Sequence, residues 1–180
     1  MKFQATGLPG AYIIDIDRLV DERGFFARTF CRDEFAACGL RTQFFQCNTS
    51  FNTLRGTLRG MHFQREPHAE AKLIRCTRGA IHDVIVDLRP DSSSYCRWVA
   101  VELTDDNERM LYIPEGVAHG FQTLVDGSEV FYQMAAMYRP EASDGVRWND
   151  PAFGIDWPLP DPIVSARDAG YGDFVPYPVK

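Results

Sequence analysis

The chain has 180 residues, of which 45% are hydrophobic and 13% aromatic, and a formal net charge of −6. That length supplies one hydrophobic core and is short for two, so one domain over residues 1–180 is expected. The acidic balance argues against sequence-independent binding to nucleic acid or anionic membrane, both of which need a basic surface, and no apolar run approaches the roughly 20 residues of a membrane span.

The N-terminal Met-Lys-Phe-Gln-Ala-Thr-Gly-Leu-Pro-Gly lacks the apolar centre of a secretory signal, so a cytoplasmic protein is expected. A first strand is predicted over 11–16. A short helix follows over 32–40, with Asp33 and Glu34 in its first turn and Gly39 at its end. Further strands are predicted over 71–76, 80–88, 98–103, 110–113 and 129–137, all rich in Val, Ile, Tyr and Phe. Turn residues punctuate them, as in Arg89-Pro90-Asp91-Ser92 and Val125-Asp126-Gly127-Ser128. Short strands at this cadence predict an all-β sandwich or jelly-roll barrel. The tail after Trp148 carries Pro151, Pro158, Pro160, Pro162, Pro176 and Pro178, which predicts extended coil with a turn at Ser165-Ala166-Arg167-Asp168. The five cysteines are odd in number and contain no Cys-x-x-Cys pair. They read as reduced thiols packed as small apolar groups rather than as a disulfide framework or a zinc ribbon.

The densest chemistry lies in Leu58-Arg59-Gly60-Met61-His62-Phe63-Gln64 and the Ala71-Lys72 that follows. Strict strand alternation sends Gly60, His62 and Gln64 to one face and Arg59, Met61 and Phe63 to the other. With Lys72 on the next strand, a neutral base and a fixed ammonium share one cavity. That pair suits proton abstraction next to a carbonyl, the histidine taking the proton and the ammonium holding the enolate oxygen. A second cluster, Pro114-Glu115-Gly116-Val117-Ala118-His119-Gly120-Phe121, sets a tight turn and then starts a strand at His119, between residues small enough for close approach of a ligand.

Several motifs in order resemble one family: Asp21-Glu22-Arg23-Gly24-Phe25-Phe26, Gln46-Cys47-Asn48-Thr49-Ser50, the Leu58 and Lys72 stretches, residues 83–89, residues 113–121, and Val146-Arg147-Trp148-Asn149-Asp150-Pro151. Together they are similar to the dTDP-4-dehydrorhamnose 3,5-epimerases, cupin-fold enzymes acting on sugar nucleotides. The resemblance implies a cupin-type jelly roll with one or two short helices, no metal and no cofactor. It also implies a nucleoside-diphosphate 4-keto-hexose substrate and a homodimer in which an N-terminal segment of one subunit completes the other's site. Residue by residue, His62 matches the family's general base, Asp168 the aspartate that orients it, Lys72 the lysine near the C4 carbonyl, and Tyr132 the tyrosine that returns a proton from the opposite face. Arg23 and Arg59 match diphosphate ligands, and Phe26 and Arg28 fall in the same substrate-binding segment as Arg23. Gln46 and Asn48 match the nucleotide pocket, His119 a substrate contact and Tyr138 the aromatic that stacks on the base. Arg167 stands where the family commonly has lysine.

Two departures touch the nucleotide end. Arg28 replaces a family glutamate and Ser143 a family acid, so a pocket that accepts from a thymine N–H loses acceptors. Thymidine remains the default base, with cytidine or guanosine diphosphate sugars as alternatives, and inversion at C3, C5 or both stays open. Two other readings compete: a metal-dependent cupin isomerase or oxygenase, which needs more histidine ligands than His62 and His119 offer, and a non-catalytic sugar-binding cupin.

Overall fold

The computed structural model describes residues 1–176; the last stretch of the tail, with Pro178, lies outside the described residues. The chain runs β1 (Lys2–Ala5), β2 (Tyr12–Asp15), β3 (Arg18–Asp21), β4 (Gly24–Ala27), α1 (Arg32–Ala37), β5 (Gln46–Asn52), β6 (Thr57–Gln64) and β7 (Lys72–Arg78). It continues through β8 (Ala80–Asp87), β9 (Trp98–Thr104), β10 (Met110–Ile113), β11 (Val117–Thr123), β12 (Ser128–Met134), β13 (Ser143–Gly145), β14 (Ile163–Val164) and α2 (Ala166–Ala169). Two large sheets result, ordered β1-β2-β10-β7-β12-β5 and β13-β6-β11-β8-β9, with β14 added to β6. Sequence neighbours β7 and β8 lie in different sheets, which gives the crossed connections of a cupin-type jelly roll.

Period-two alternation builds the layers. Ile74 and Cys76 of β7, Ile81 and Ile85 of β8, Leu111 and Ile113 of β10, and Val130 of β12 meet between the sheets as one core. Their alternates face outward. Leu73 and Met110 pack under Phe35 of α1, whose ring is fully buried. Val84 and Val86 pack with Val146 and with Phe153 of the tail. The helix predicted over 32–40 stops at Ala37, and the expected glycine stop follows it, with Gly39 at a φ of +70° directly after the C-cap Cys38.

Further sequence expectations are corrected. The strand predicted over 129–137 stops at Met134, and β11 begins at Val117, two residues before His119. The cysteines are all free, yet only Cys76 is buried; its thiol is pushed up to about 11 by burial, whereas Cys47 is exposed on the edge strand β5. The alternation expected along β6 also fails. In the ladder with β11, His119 pairs with His62 but Phe121 pairs with Arg59, so three residues of β6 span two of β11. This bulge turns Arg59 and His62 to the same cavity. Gly60 sits within it at a φ of +147°, and a Cβ there would meet the Gly120 backbone at 2.5 Å, so the two strands approach only as glycines.

Candidate active site

A cavity of about 350 Å³ opens at one end of the jelly roll, lined from one sheet by Arg59, His62 and His119 and from the other by Lys72, Tyr132 and Met134. Tyr138, Ser143, Arg167 and Asp168 close its rim.

His62 owes its position to β6 and its orientation to α2. Ser165 caps this one-turn helix by accepting the Asp168 N–H at 3.1 Å, which aims the buried Asp168 carboxylate back at β6. Its Oδ1 lies 2.7 Å from His62 Nε2, and its Oδ2 accepts the Gly60 N–H at 3.2 Å. Burial pushes the Asp168 carboxyl upward, but the hydrogen bond and charge of His62, the Gly60 N–H and the Arg167 charge outweigh it and hold the group below the usual carboxylate range. An ionised Asp168 fixes the proton on Nε2 and leaves Nδ1 as the basic nitrogen. Tyr171 packs edge-on against the imidazole, 6.4 Å between ring centroids, over Gly145, where any side chain would collide with it.

A second imidazole, His119, stands 3.0 Å from the fully buried Asp83 carboxylate of β8. Tyr132 enters from the opposing sheet. Burial raises its hydroxyl above the ordinary phenol value, opposed by the Arg59 charge and reinforced by Tyr138, so it carries its proton at neutral pH. Arg59 is steered by its Nε, which donates to Asn52 Oδ1 at 2.7 Å. Lys72 is buried at 7% exposure and donates to Glu70, itself 5% exposed.

Eight of the residues singled out in the sequence thus converge: His62, Lys72, Tyr132, Asp168, Arg59, His119, Tyr138 and Arg167. The other five do not line the cavity. Arg23 lies in the β3–β4 turn, paired with Asp21, and Phe26 is exposed on β4. Arg28 lies 3.4 Å from Glu34. Gln46 accepts the Tyr138 backbone N–H, and Asn48 Nδ2 sits 3.6 Å from Met134 Sδ, so both brace residues that do line it. Arg167 donates to Ser143 Oγ at 2.8 Å, a neutral partner. Sequence reasoning missed Glu70, Asn52, Asp83 and Ser165, all polar residues inside or beside the motifs. Their spacing held one signal: Glu70 and Lys72 are two apart, as strand neighbours on one face must be. Among the described residues no three His, Cys, Asp or Glu side chains converge as a metal needs.

A jelly roll that brings a histidine–aspartate dyad, a lysine and a tyrosine to one cavity from two facing sheets defines a carbohydrate epimerase of the cupin type. The comparisons make the class particular. The family model described as dTDP-4-dehydrorhamnose 3,5-epimerase matches residues 5–175. The dTDP-4-dehydrorhamnose 3,5-epimerase of Methanothermobacter thermautotrophicus is 46% identical over 173 residues, 94% of this chain and 92% of that protein. The crystal structure of the Elizabethkingia anophelis enzyme superposes with a TM-score of 0.94 at 36% identity, covering 97% and 96% of the two chains. That of the Bacillus anthracis enzyme, with TDP and PPi bound, gives 0.93 at 39% identity over 96% and 99%. The chain belongs to the dTDP-4-dehydrorhamnose 3,5-epimerase family.

Proposed function

We propose that the chain, acting as one unit over 1–180, inverts C3, C5 or both of a dTDP-linked 4-keto-6-deoxy-hexose. His62 Nδ1 takes the proton from the carbon beside the C4 ketone, and the C–H electron pair moves into an enolate. Lys72 donates to the enolate oxygen, where charge develops in the transition state and not in the ketone. Tyr132 then delivers its proton to the other face of the carbon as the ketone re-forms, and solvent exchange restores His62 and Tyr132. Arg59, with the Arg23 of a second subunit, holds the diphosphate, Arg167 binds substrate at the rim, Tyr138 stacks on the base and His119 contacts the sugar. Arg23, with Phe26 and Arg28, reaches the same cavity from a second subunit in a cytoplasmic homodimer; Gln46 and Asn48 support the nucleotide end.

The observation that carries this reading is the approach of His62, on β6, and Tyr132, on β12, from opposing sheets to one cavity. Inversion requires groups on both faces, since one base acting on one side regenerates substrate. A thymidine nucleotide is supported by the TDP bound to the Bacillus anthracis relative.

The test is incubation with dTDP-4-keto-6-deoxy-glucose in D2O, with exchange and inversion at C3 and C5 followed by NMR. His62→Ala is expected to lose exchange at every carbon. Tyr132→Phe is expected to keep part of the exchange and lose inversion, because removal and return of the proton are separate half-reactions. Full epimerisation by His62→Ala would overturn the assignment of the base.

A further inference from the structure

We propose that Glu70 is the positioning residue of Lys72, holding its ammonium in the direction the enolate oxygen requires. The inference rests on Lys72 acting at the C4 oxygen.

Extended backbone at the start of β7 puts residues 70 and 72 on the cavity side, while Ala71 between them packs outward with Phe35. Both charges are almost wholly removed from water, at 5% and 7% exposure, and they pair directly. Neither charge is tolerable there without the other. Yet the pair is a poor device for holding the fold together. Among the described residues Glu70 is the hydrogen-bond partner of Lys72, and the second carboxylate oxygen, Oε2, is buried with no partner. A buried acceptor left unpaired costs about 1–3 kcal/mol. An apolar pair of the same volume is often as stable or more so. Among the described residues Glu70 ties Lys72 to no other element, so what it secures is the lysine head group itself.

That head group needs securing. A lysine is a point charge on four rotatable carbons, and its three N–H donors turn freely. With one donor committed to Glu70, the ammonium cannot swing, and the remaining two are left to the cavity. A donor in place before the enolate forms needs no reorganisation as charge develops, and a displacement of an ångström is enough to forfeit much of the benefit.

The test measures deuterium exchange into dTDP-4-keto-6-deoxy-glucose and, separately, dTDP affinity by titration calorimetry. Glu70→Ala is expected to lower kcat for exchange about 10- to 100-fold while dTDP affinity stays within about twofold, since the nucleotide end does not touch Glu70. Glu70→Gln, whose amide oxygen accepts the same N–H, is expected to recover most of that loss. A double-mutant cycle separates positioning from a structural role: in the Lys72→Met background, Glu70→Ala is expected to cost nothing further, because a residue acting through Lys72 has nothing left to act on. The Lys72→Met/Glu70→Ala variant contains no unpaired buried charge; if Lys72→Met alone does not fold, Lys72→Met/Glu70→Gln, equally free of one, takes its place as the reference in that background. If Glu70→Ala does not fold, Glu70→Gln takes its place in the cycle, with a loss of at least about threefold expected alone and none on Lys72→Met. Wild-type exchange by the single variant beside an impaired Lys72→Met, or losses that multiply in the double variant, overturns the positioning role. Wild-type exchange by Lys72→Met overturns the reading of Lys72, and the inference with it.

Discussion

At the scale of single residues, the site turns on what each charged group is paired with. Asp168 is held ionised by His62, the Gly60 N–H and Arg167 against the upward push of burial, so it is a full negative charge beside the imidazole at neutral pH. Asp168→Asn keeps a side chain that orients the ring but removes the charge that stabilises the imidazolium formed on proton abstraction. We expect kcat to fall about 10²- to 10⁴-fold with dTDP binding retained. Steady-state kinetics beside a dTDP titration checks this, and unchanged turnover would remove Asp168 from the mechanism. His62, Lys72 and Tyr132 were legible in the sequence because they stand in ordered motifs whose chemistry is specific. Glu70 was not, because a glutamate beside Pro67 and His68 looks like any solvated charge until the cavity encloses it. Arg59 was assigned to the wrong face for a different reason: a bulge is a property of two strands, and the alternation of one strand does not contain it.

At the scale of elements, strands β8 and β10 were readable from composition, because nearly every position is buried and apolar residues dominate them. Strand β5 was not. Its largely polar Gln46-Cys47-Asn48-Thr49-Ser50-Phe51-Asn52 carries no apolar strand signal and was assigned no element; its strand conformation is completed by β12, which pairs with it antiparallel along its whole length. The turn after β8 was marked by Pro90, but its anchor is Asp87, which is fully buried and accepts from Arg89 Nε and Nη2 at 2.8 Å each, from Arg89 N–H at 3.0 Å, and from the hydroxyls of Ser92 and Ser94. Burial pushes the Asp87 carboxyl up, and the hydrogen bonds of Arg89, Ser92 and Ser94 bring it below its ordinary value. A group depressed in the folded state contributes stability above its unfolded value, about 3.9, and that contribution is lost as pH falls through the folded value. Asp87→Asn is therefore expected to destabilise by about 2–4 kcal/mol at neutral pH. The gap from wild type narrows as the pH is lowered below the carboxylate range. Urea unfolding at neutral and acidic pH measures it; a gap that stays constant would mean that the charge of Asp87 is not what holds the turn.

At the scale of the whole molecule, one part of the structure is exposed beyond what its ties to its own chain explain, the side chain of Arg18 pairing with Glu108 and donating to the Asp106 carbonyl. Among the described residues strands β3 and β4 pair only with each other, and a two-stranded hairpin is marginal in water. It nevertheless exposes Leu19 at 67%, Val20 at 75%, Phe25 at 47% and Phe26 at 69%. Such a surface is poor for a lone subunit and suited to burial against a second copy. The same hairpin carries Arg23, and Arg28 follows it, so the site residues named from the sequence that fail to reach the cavity of their own chain are those on this arm, together with Gln46 and Asn48 behind the cavity wall. In the proposed homodimer the arm crosses to the partner, and each site is built from two chains. Arg23→Ala and His62→Ala protein are then each expected to be inactive alone. Mixed and allowed to exchange subunits, they form heterodimers in which one site carries both lesions and the other neither, and activity returns to about a quarter of wild type at equal mixing, as random pairing of two subunit types dictates. Sedimentation establishes the dimer, differential tagging establishes the exchange, and the epimerase assay reads the recovery. No recovery after demonstrated exchange would mean that Arg23 serves the site of its own chain, by folding back to a cavity from which the hairpin now stands away.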